Sequence, residues 1–593
     1  MPIDSVPYRL QQQAKNNPNA PALYTKEPGA SGWSMTSYRE YADLVRRAGK
    51  ALIALGLGKG STVSILGFNR AEWVILDVAA MSIGGAPTGI YTTCSPEEVQ
   101  YIIHHAESPL VLLENTMQWE KIKKQSENLP LLKHVVMMKG AAVPDDPRAM
   151  SWEQFLAKGD AVDNAKFDEA LAALEPDGLA TLIYTSGTTG PPKGVMLSNH
   201  NLAWTAAASI SLNEIGKGDS LLSYLPLSHI AEQVLSIHVP ITCASAVYFA
   251  QSLEQMIENL KEVQPTLFFG VPRVWEKFHA GVSQKLGQAT GVKKKIAEFA
   301  MRTGREMAAA TCQGGQPSLG LSLRYKLAHK LVFSKLKPAI GLGKAKFCVS
   351  GAAPIAKEIL DFFAGLDIIV REVYGQSEGT GPTSTNRPGK TKLGTVGPPY
   401  PGVEVKIAED GEILVRGPNV FLGYFKEPEA TAETLKDGWL CSGDLGEIDK
   451  DGYLVITGRK KEIIITAGGK NIAPKNIEGA LKNHPLISEA VVIGDRRKFL
   501  SALISLDPEA ARKFAEERGH KGAPQDLPAL IAEVQKAVDE VNATLARVET
   551  VKKFRIVPRP FSIETGELTP TLKVKRKIVN KNFATEIESM YQE

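Results

Sequence analysis

The feature that most constrains this chain is a series of short apolar runs that recur from residue 63 onward, most of them ending in Gly, Asn, Pro or Ser. Helical patterns lie between many of these runs. Continuous apolar strands that alternate with helices are typical of parallel sheets covered on both faces. Ligands of such sheets bind beyond the carboxyl ends of the strands, so the clusters that follow the runs are the candidate sites. The runs are VSILGFN, LVLLEN, VVMMKG, TLIYTSG, LLSYLPLSH, VYFAQ, TLFFGVP, FCVSGAAP and IIVREVYG.

Size and composition predict a multidomain soluble enzyme. A length of 593 residues exceeds one ordinary core, so we expect two or more domains. A formal net charge of +4 is small for this length and gives no support for nucleic-acid binding as the main function. The five cysteines are scattered and form no CxxC pair, which argues against a disulfide framework or zinc site and for a reducing compartment.

The sequence contains no clear targeting or membrane-spanning segment. The N-terminus is polar and lacks the apolar core of a signal peptide. A spanning helix needs roughly 18 apolar residues or more, and the closest stretch, residues 234–249, is interrupted by His238 and Pro240. We therefore expect a cytoplasmic protein, at most peripheral to a membrane. The oligomeric state is not predicted.

One basic stretch leaves two interpretations open. Residues 324–346 contain seven Lys or Arg residues and no acidic residue, and Leu323, Leu327 and Leu331 share one helical face there. A basic amphipathic face can dock on anionic lipid. More commonly, such a face is solvated and its leucines form a core stripe.

Residues 184–194, YTSGTTGPPKG, follow one of the apolar runs and predict a phosphate-binding loop. Glycine lets backbone amides approach an anion closely. Hydroxyl groups and Lys193 add donors and a mobile charge, which suits a polyphosphate. The glycine spacing differs from that of the P-loop NTPases. A flexible surface turn is the alternative, but the density of donors directly after a strand favours phosphate binding.

Two further clusters follow later runs. Gly351, Ala352 and Ala353 leave a flat slot where a purine can lie against the backbone. In YGQSEGT, Tyr374 can stack on adenine from the end of a strand. Glu378 is the only acid in that turn, and a hard carboxylate suits Mg²⁺. Each cluster alone is weak evidence, but their order after the phosphate loop strengthens both.

Beyond about residue 390 the pattern changes to short strands and frequent turns, which predicts a small antiparallel sheet or barrel. Within it, DGWLCSGDLG places Asp444 in a predicted glycine turn. A carboxylate there can accept both ribose hydroxyls, although an Asx turn is the ordinary alternative. We place a domain boundary at residues 459–461.

These clusters, in this order, resemble the motifs of the adenylate-forming superfamily of acyl-CoA synthetases and peptide-synthetase adenylation domains. The run from DGW to the Arg-Lys-Lys of residues 459–461 is similar to the signature of long-chain fatty acyl-CoA synthetases. Stretches such as GIYTTCSPEEVQYIIHHA and TGRKKEIIITAGGKNIAPKNIE look closest to the bubblegum-type branch.

The resemblance implies an α/β fold. Residues 1–458 would form a large N-terminal domain of stacked, mostly parallel sheets with helices, including a small antiparallel barrel at about 390–458. Residues 459–461 would form a hinge, with Lys461 as the hinge residue. Residues 462–593 would form a small, mobile α+β C-terminal domain.

The resemblance also implies a reaction. A long-chain fatty acid would be activated by ATP and Mg²⁺ to an acyl-adenylate, then transferred to coenzyme A with release of AMP. Family members rotate the C-terminal domain between the two steps.

Site residues follow from the matched motifs. Lys573, in ELTPTLKVKR, would be catalytic together with Glu378, His229 and Thr185, and Glu378 and Thr185 would contact the metal. The residues implied to contact coenzyme A are Gly468, Gly469 and Lys470. Those implied to contact ATP or AMP are Thr185, Ser186, Gly187, Thr188, Thr189, Gly190, Lys193, Gly351, Ala352, Ala353, Tyr374, Gly375, Gln376, Ser377, Asp444 and Arg459.

Several alternatives stay open. Lys573 could belong to a solvated basic tail, and His229 could be a structural histidine. Some family members have an aromatic gate where this chain has Gln233. A fatty acyl-AMP ligase, a medium-chain or aryl acid ligase, and a non-catalytic nucleotide sensor are the competing functions. No aromatic–basic platform for nucleic acid is present, and the sequence does not determine the acyl chain length.

Overall fold

The structure is a computed structural model that describes residues 2–27, 29–185, 191–467, 470–569 and 573–592. Within these residues, two eight-stranded sheets contain the strands up to residue 385. A five-stranded antiparallel sheet follows, and then a C-terminal region with its own sheets. The predicted mixed α/β class with a separate C-terminal domain is confirmed.

The first sheet carries the predicted phosphate loop. Most of its strands are parallel, as the continuous apolar runs predict, but Leu179–Thr185 and Lys193–Ser198 form an antiparallel hairpin. The loop between these two strands is therefore a hairpin connection at the edge of the parallel part. In spatial order the strands are Gly423–Tyr424, Lys193–Ser198, Leu179–Thr185, Ala86–Ile90, Thr62–Leu66, Leu110–Leu113, His134–Met137 and Ala149–Ser151.

The second sheet carries the predicted adenine and metal clusters. Its strands are parallel except at the two edges, where Gly381–Thr385 and Ser34–Ser37 are antiparallel to their neighbours. In the stretch after the first helix, Pro21–Thr25 forms a strand that pairs in parallel with Ala246–Phe249. In spatial order the strands are Gly381–Thr385, Val370–Gln376, Phe347–Ser350, Leu267–Gly270, Ser220–Ser223, Ala246–Phe249, Pro21–Thr25 and Ser34–Ser37.

One hydrophobic cluster joins the two sheets: it contains Ile65 of the first, Val247 of the second, and the fully buried Trp73. A helix spans Tyr38–Ala54, and the Ser37 side chain caps it in a capping box with Glu40. The α-helices of this part are Val6–Asn16, Tyr38–Ala54, Ala71–Ser82, Pro96–His105, Thr116–Lys124, Trp152–Lys158, Asn164–Ala172, Asn199–Asn213, Ile230–Gln233, Val239–Cys243, Met256–Val263, Pro272–Gly287, Gly291–Thr311, Leu319–Ala328, Ser334–Ala339 and Lys357–Gly365.

The predicted barrel is a five-stranded antiparallel sheet. One short strand from this part of the sequence, Gly423–Tyr424, does not belong to the antiparallel sheet. It pairs instead with Lys193–Ser198 of the first sheet. That exchange ties the antiparallel part to the hairpin that carries the phosphate loop. The strands are Glu404–Ile407, Glu412–Arg416, Leu435–Lys436, Trp439–Ile448 and Leu454–Arg459, and the helix Pro428–Thr434 lies between them in sequence.

The C-terminal region has its own core. Two hydrophobic clusters there consist only of residues from Ile464 onward. The strands are Ile464–Ile465, Asn471–Ile472, Ile487–Ile493, Leu500–Leu506 and Val551–Ile556, and the α-helices are Pro474–Leu481, Pro508–Glu516, Pro528–Asn542, Arg576–Asn582 and Ala584–Ser589. Across the described ranges, no helix combines the length and apolarity that a bilayer crossing requires.

Candidate active site

The two ends of the phosphate loop are held opposite each other. Thr185 pairs with Lys193 across the hairpin, and Tyr184 pairs with Gly194. Tyr184 is buried, and its hydroxyl lies 2.7 Å from Nδ1 of His105. This arrangement fixes where the loop leaves and re-enters the sheet. The predicted contacts of Ser186, Gly187, Thr188, Thr189 and Gly190 lie outside the described residues.

Tyr424 connects the phosphate loop to the predicted metal ligand. Its hydroxyl donates to Oε1 of Glu378 at 2.8 Å, and Nζ of Lys193 lies 5.0 Å from the centre of its ring. Burial and the neighbouring Glu378 raise the pKa of Tyr424, so the phenol stays protonated and remains a donor. Lys193 also lies 3.8 Å from Glu427.

Sequence analysis did not single out Tyr424. The run FLGYF, which contains Tyr424, lies in the part of the sequence predicted to form a barrel. Only the pairing of Gly423–Tyr424 with Lys193–Ser198 brings this hydroxyl to Glu378.

The predicted adenine slot is shaped by close backbone packing. A Cβ on Gly351 would lie 2.6 Å from a Val373 methyl carbon, and one on Gly375 would lie 1.7 Å from the carbonyl oxygen of Gly381. Ala352 has φ +68°, a left-handed conformation that exposes it together with Ala353. Glycine is therefore required at both crowded positions.

The turn after Tyr374 differs from the prediction in its boundaries. The strand continues to Gln376, so Tyr374 lies within it, and Ser377 and Glu378 begin a 3₁₀ turn, Ser377–Gly379. Ser377 is buried and Gln376 is half-buried. Glu378 is therefore offered from a short turn at the carboxyl end of the strand, where ligands of such sheets bind.

Asp444 forms the centre of a hydrogen-bonded group. Its Oδ2 accepts from the Tyr374 hydroxyl at 3.0 Å, and its Oδ1 accepts from Nε of Arg459 at 2.9 Å. Asp444 and Arg459 are paired residues on neighbouring strands, which explains their contact. The predicted glycine turn was wrong: Asp444 lies inside Trp439–Ile448, next to Gly443 with φ +71° and a break in strand register. A carboxylate has about four acceptor sites, so Asp444 retains capacity for a ligand.

Lys573 enters this group from the C-terminal region. Burial, helped by the charges of Arg459 and Lys475 and opposed by those of Asp444 and Glu378, lowers its pKa to about 8. The backbone of Lys573 exchanges two hydrogen bonds with Thr569, at 2.7 and 2.9 Å. The interpretation of Lys573 as part of a solvated tail is wrong, because its side chain lies among these charges.

The segment that presents Lys573 is anchored at its base. Glu567 is buried; burial raises its pKa, but hydrogen bonds from Arg559, Thr565 and Asn582 outweigh that effect and lower the pKa to about 2. Leu568 also forms an antiparallel bridge with Val574. The anchor restricts where the Lys573 amine can reach.

Lys475 was missed by sequence analysis. It lies at the start of helix Pro474–Leu481, with Nζ 3.6 Å from Glu462. Burial lowers its pKa, and Glu462 opposes the shift. In the sequence it is one lysine among many in KNIAPKNIE, so it carried no distinguishing signal.

His229 lies within electrostatic reach of Lys573. Burial lowers its pKa to about 3, and the charge of Lys573 contributes. Its Nδ1 accepts from the Ala231 amide at 3.2 Å, at the start of helix Ile230–Gln233. His229 is therefore neutral at physiological pH.

A buried polar network supports the His229 loop. Glu232 accepts from the hydroxyls of Ser223 and Ser236 at 2.6 and 2.7 Å, and burial raises its pKa to about 7. Asn69 donates to Ser223 at 2.8 Å and accepts from the Leu227 amide at 3.2 Å. The side chains of Asn69 and Ser223 thus hold the loop that carries His229 in place.

The helix after His229 is distorted. A π-helical turn, Val234–His238, follows Ile230–Gln233, and such turns often occur at functional sites. The side-chain amide of Gln233 donates to the Leu227 carbonyl at 3.0 Å. Neither nitrogen of the buried His238 has a hydrogen-bond partner among the described residues, and burial lowers its pKa to about 3.

The remaining predicted residues lie at the surface. Lys461 is exposed on the 3₁₀ turn Lys460–Glu462, directly after the last strand of the antiparallel sheet. Lys470 is exposed, and its amide donates to the Thr466 hydroxyl at 3.2 Å. Gly468 and Gly469 lie outside the described residues.

Comparison with known protein families identifies the chain's relatives. The family described as "AMP-binding enzyme" matches residues 10–425, and the "AMP-binding enzyme C-terminal domain" matches residues 461–593. The chain belongs to the AMP-binding enzyme family.

Curated relatives of this AMP-binding enzyme are similar over almost its whole length. The long-chain-fatty-acid–CoA ligase ACSBG2 of Xenopus laevis is 39% identical over 95% of this chain and 80% of its own. FadD15 of Mycobacterium tuberculosis, also named a long-chain-fatty-acid–CoA ligase, is 39% identical over 94% of this chain and 92% of its own. The human ACSBG2 is 35% identical over 99% of this chain and 92% of its own.

Solved structures share the fold of this AMP-binding enzyme. The adenylation and carrier didomain of a carboxylic acid reductase from Segniliparus rugosus, in complex with AMP, has a TM-score of 0.75 at 21% identity over 99% of this chain and 82% of its own. The o-succinylbenzoate CoA synthetase of Bacillus subtilis has a TM-score of 0.70 at 22% identity over 96% of this chain and 97% of its own.

Proposed function

We propose that this AMP-binding enzyme is an ATP-dependent long-chain fatty acid–CoA ligase. It joins a fatty acid to AMP with release of pyrophosphate, then transfers the acyl group to coenzyme A. The observation that carries the proposal is the position of Lys573, a half-buried lysine of the C-terminal region that interacts electrostatically with Glu378, Asp444 and Arg459. The names of the curated relatives support the choice of substrate.

In the first step the chain's own residues bind and orient the nucleotide. Asp444 accepts the ribose hydroxyls, Gly351 and Gly375 leave the adenine room beside the backbone, and Lys193 attracts the phosphates. The Lys573 ammonium bridges the fatty acid carboxylate and the α-phosphate, where negative charge grows as the carboxylate attacks.

His229 forms the neutral wall of the carboxylate site. A pKa of about 3 keeps the imidazole uncharged, so it orients the acid by hydrogen bonding rather than by charge. The remaining cation for the carboxylate is Lys573.

The residues present fit a magnesium ion held mainly by the substrate. Mg²⁺ keeps several waters and binds through one or two carboxylates together with phosphates. Among the described residues, no cluster of three or more His, Cys, Asp or Glu side chains forms a metal cage. Glu378, oriented by Tyr424, would supply that carboxylate, and Thr185 lies at the end of the loop strand. When bound, the ion would neutralise phosphate charge.

In the second step the electrophile is the acyl carbon of the acyl-adenylate instead of the α-phosphorus of ATP. The active site must therefore present different residues in the two steps. We place the lobes at residues 1–458 and 462–593, with the hinge at 459–461 and Lys461 as the hinge residue. Rotation about the hinge withdraws Lys573 and turns the segment of Gly468, Gly469 and Lys470 towards the acyl-adenylate. Glycines there would let the pantetheine arm of coenzyme A pass along the backbone.

A pyrophosphate-release assay across acids from short to very long chains, with and without coenzyme A, tests the proposal. We expect turnover to be greatest with long-chain acids and to require coenzyme A, with acyl-CoA as the product identified by mass spectrometry. Without coenzyme A, only about one pyrophosphate per active site should be released rapidly.

The other outcomes separate the alternatives. Sustained turnover that yields acyl-adenylate but no acyl-CoA would identify a fatty acyl-AMP ligase. A maximum with short or aromatic acids would identify a different substrate class. No pyrophosphate with any acid, despite ATP binding, would indicate a nucleotide sensor.

A further inference from the structure

The helix pair formed by Gly291–Thr311 and Leu319–Ala328 carries an exposed apolar stripe. Leu319, Leu323, Leu327 and Leu331 are 87%, 67%, 50% and 40% exposed, at a spacing of four residues that places them on one helix face. Val292, on the neighbouring helix, is 73% exposed. Isolated exposed leucines are ordinary, but a continuous stripe of them marks an interaction site.

This stripe is not the core face of its helix. The core of the pair is formed by Ala300, Ala328 and Phe333 on the opposite side. The expectation of a core stripe at Leu323, Leu327 and Leu331 was therefore wrong.

Lysines flank the stripe without charged partners. Lys326, Lys330 and Lys335 are exposed, and none of them forms an ion pair in the part of the chain that the structure describes. The sequence contains no Asp or Glu from residue 307 to residue 357. Lys293, Lys294 and Lys295 extend the exposed charge at the start of the neighbouring helix.

The surface is rigidly attached to the nucleotide-binding lobe. Helices Gly291–Thr311 and Lys357–Gly365 approach so closely that a Cβ on Gly304 would lie 2.4 Å from the Gly365 carbonyl oxygen. Lys337 is anchored to Asp367 at 3.1 Å. A ligand on the stripe would therefore hold the whole lobe, not a flexible arm.

We propose that this helix pair docks the enzyme on the surface of an anionic phospholipid bilayer. The leucines enter the boundary between headgroups and acyl chains, and the lysines contact the lipid phosphates. This is the pattern of an interfacial amphipathic helix, with apolar residues on one line and lysines beside it. A nucleic acid would match the lysines but would leave the leucines exposed. The proposal is independent of the proposed function.

Vesicle flotation tests the docking. Phosphatidylcholine vesicles with roughly a third phosphatidylglycerol should bind the wild-type chain, and vesicles without the anionic lipid should bind it weakly, because each lysine adds attraction only to a charged surface. Raising the salt from about 0.1 M to about 1 M shortens the screening length from about 10 Å to about 3 Å and should release the protein.

Charge variants measure the electrostatic part. Changing the three lysines beside the stripe to glutamine should weaken binding to the anionic vesicles about 100-fold, at roughly tenfold or less per lysine. A matched triple change elsewhere should not alter binding. The stripe variant is Lys326→Gln, Lys330→Gln, Lys335→Gln; the control is Lys158→Gln, Lys166→Gln, Lys521→Gln.

Apolar variants measure insertion. Leu323→Ser with Leu327→Ser should reduce vesicle binding at least tenfold, whereas the equally exposed pair Leu253→Ser and Met117→Ser should not. Circular dichroism and pyrophosphate release with a water-soluble acid should stay unchanged in both, which separates lost docking from misfolding.

Two results would overturn the proposal. One is wild-type binding that is absent, or equal with and without anionic lipid. The other is concentration-dependent self-association, seen by light scattering, that the leucine variant abolishes without any vesicle binding. The second result would assign the stripe to an interface between copies of the chain.

Discussion

The nucleotide side and the acyl side of the site differ in how they handle charge. On the nucleotide side the charged groups have partners: Asp444 holds Tyr374 and Arg459, and Glu378 holds Tyr424. On the proposed acyl side His229 is half-buried, and burial lowers the pKa of its imidazole to about 3, so it is neutral. The acyl side therefore contributes shape and neutral hydrogen-bonding groups.

The difference explains why one lysine comes from the other lobe. In the proposed reaction a fatty acid would bring a carboxylate to a site where His229 carries no charge at neutral pH. Lys573 would supply that charge, and it interacts electrostatically with Asp444, Glu378 and His229. Because its amine belongs to the C-terminal region, the proposed rotation would remove it when the second step needs a different arrangement.

The largest expected effect is that of Lys573→Ala. Loss of a cation aimed at developing charge typically costs about 10³-fold, so acyl-adenylate formation should fall by at least that factor. Thioester formation from supplied acyl-adenylate should persist, because that step does not use the lysine. Single-turnover assays of each half-reaction measure both, with the exposed Lys577→Ala as a control. An equal loss in both half-reactions would contradict the role of Lys573.

Asp444→Asn tests the nucleotide side. The amide keeps the size of the side chain but removes the charge that Arg459 and the Tyr374 hydroxyl contact. A hydrogen bond to a charged group contributes about 1.5–3 kcal/mol, so ATP affinity should fall roughly 10- to 100-fold. Equilibrium binding of ATP without fatty acid measures this directly.

The acid affinity of the Asp444→Asn variant distinguishes the two sides. Because Asp444 lies on the nucleotide side, the affinity for fatty acid alone should change little. A matched loss for both ligands would mean that the substitution disturbs the whole site.

The pH profile of the first step should follow Lys573. Its pKa of about 8 in the folded protein means that the ammonium is present below pH 8 and is lost above it. The value of kcat/KM for adenylation should therefore fall as pH rises through about 8, by about tenfold per pH unit on the alkaline side. Lys573→Arg, whose guanidinium stays charged, should remove this alkaline decline even if its maximum rate is lower. Persistence of the decline in that variant would assign it to another group.

Residues of the nucleotide side differ in how far the sequence predicted them. Thr185, Lys193, Glu378 and Asp444 could be found because each follows or lies in a strand, and strand order fixes their neighbourhood. Tyr424 could not be found, since its contact with Glu378 depends on a two-residue strand that leaves its own sheet.

Long-range packing limited the other predictions. The fold class and most strands followed from apolar runs, because buried parallel strands show continuous hydrophobicity. The strand Pro21–Thr25, next to the edge of the second sheet, was missed, since it is short and its parallel partner, Ala246–Phe249, is over 200 residues away. Likewise, only packing reveals that the leucine stripe faces outward and that Asp444 lies within a strand instead of a turn.

His229→Gln should have a smaller effect than the changes on the charged side. Glutamine keeps a hydrogen-bonding group but not the imidazole shape, so the loss corresponds to about one neutral hydrogen bond, roughly 3- to 10-fold in adenylation. Because the wild-type pKa is about 3, the size of this effect should not change between pH 6 and 8. Parallel pH profiles of wild type and variant measure this. A ratio that grows as pH falls would show that a charged histidine takes part.

The smallest expected effect is at the contact between the lobes. Arg273 of the larger lobe pairs with Asp507 of the C-terminal lobe at 2.8 Å, in the orientation that delivers Lys573. The pair is partly exposed, and such pairs contribute about 0.2–1 kcal/mol. Asp507→Asn should therefore slow acyl-adenylate formation by at most about fivefold and leave thioester formation from supplied acyl-adenylate unchanged. Asp507 also caps helix Pro508–Glu516 through the Ala510 amide, and asparagine preserves that cap.

A double-mutant cycle isolates the ion pair from the cap. If Arg273 and Asp507 act only through each other, Arg273→Gln combined with Asp507→Asn should slow adenylation no more than either change alone. Additive losses would mean that the two residues act separately, for instance through the nearby Glu276, 3.6 Å from Arg273. In that case the Arg273–Asp507 pair would not stabilise the lobe orientation in which Lys573 lies in the site. The segment anchored through Glu567 would then hold Lys573 there alone.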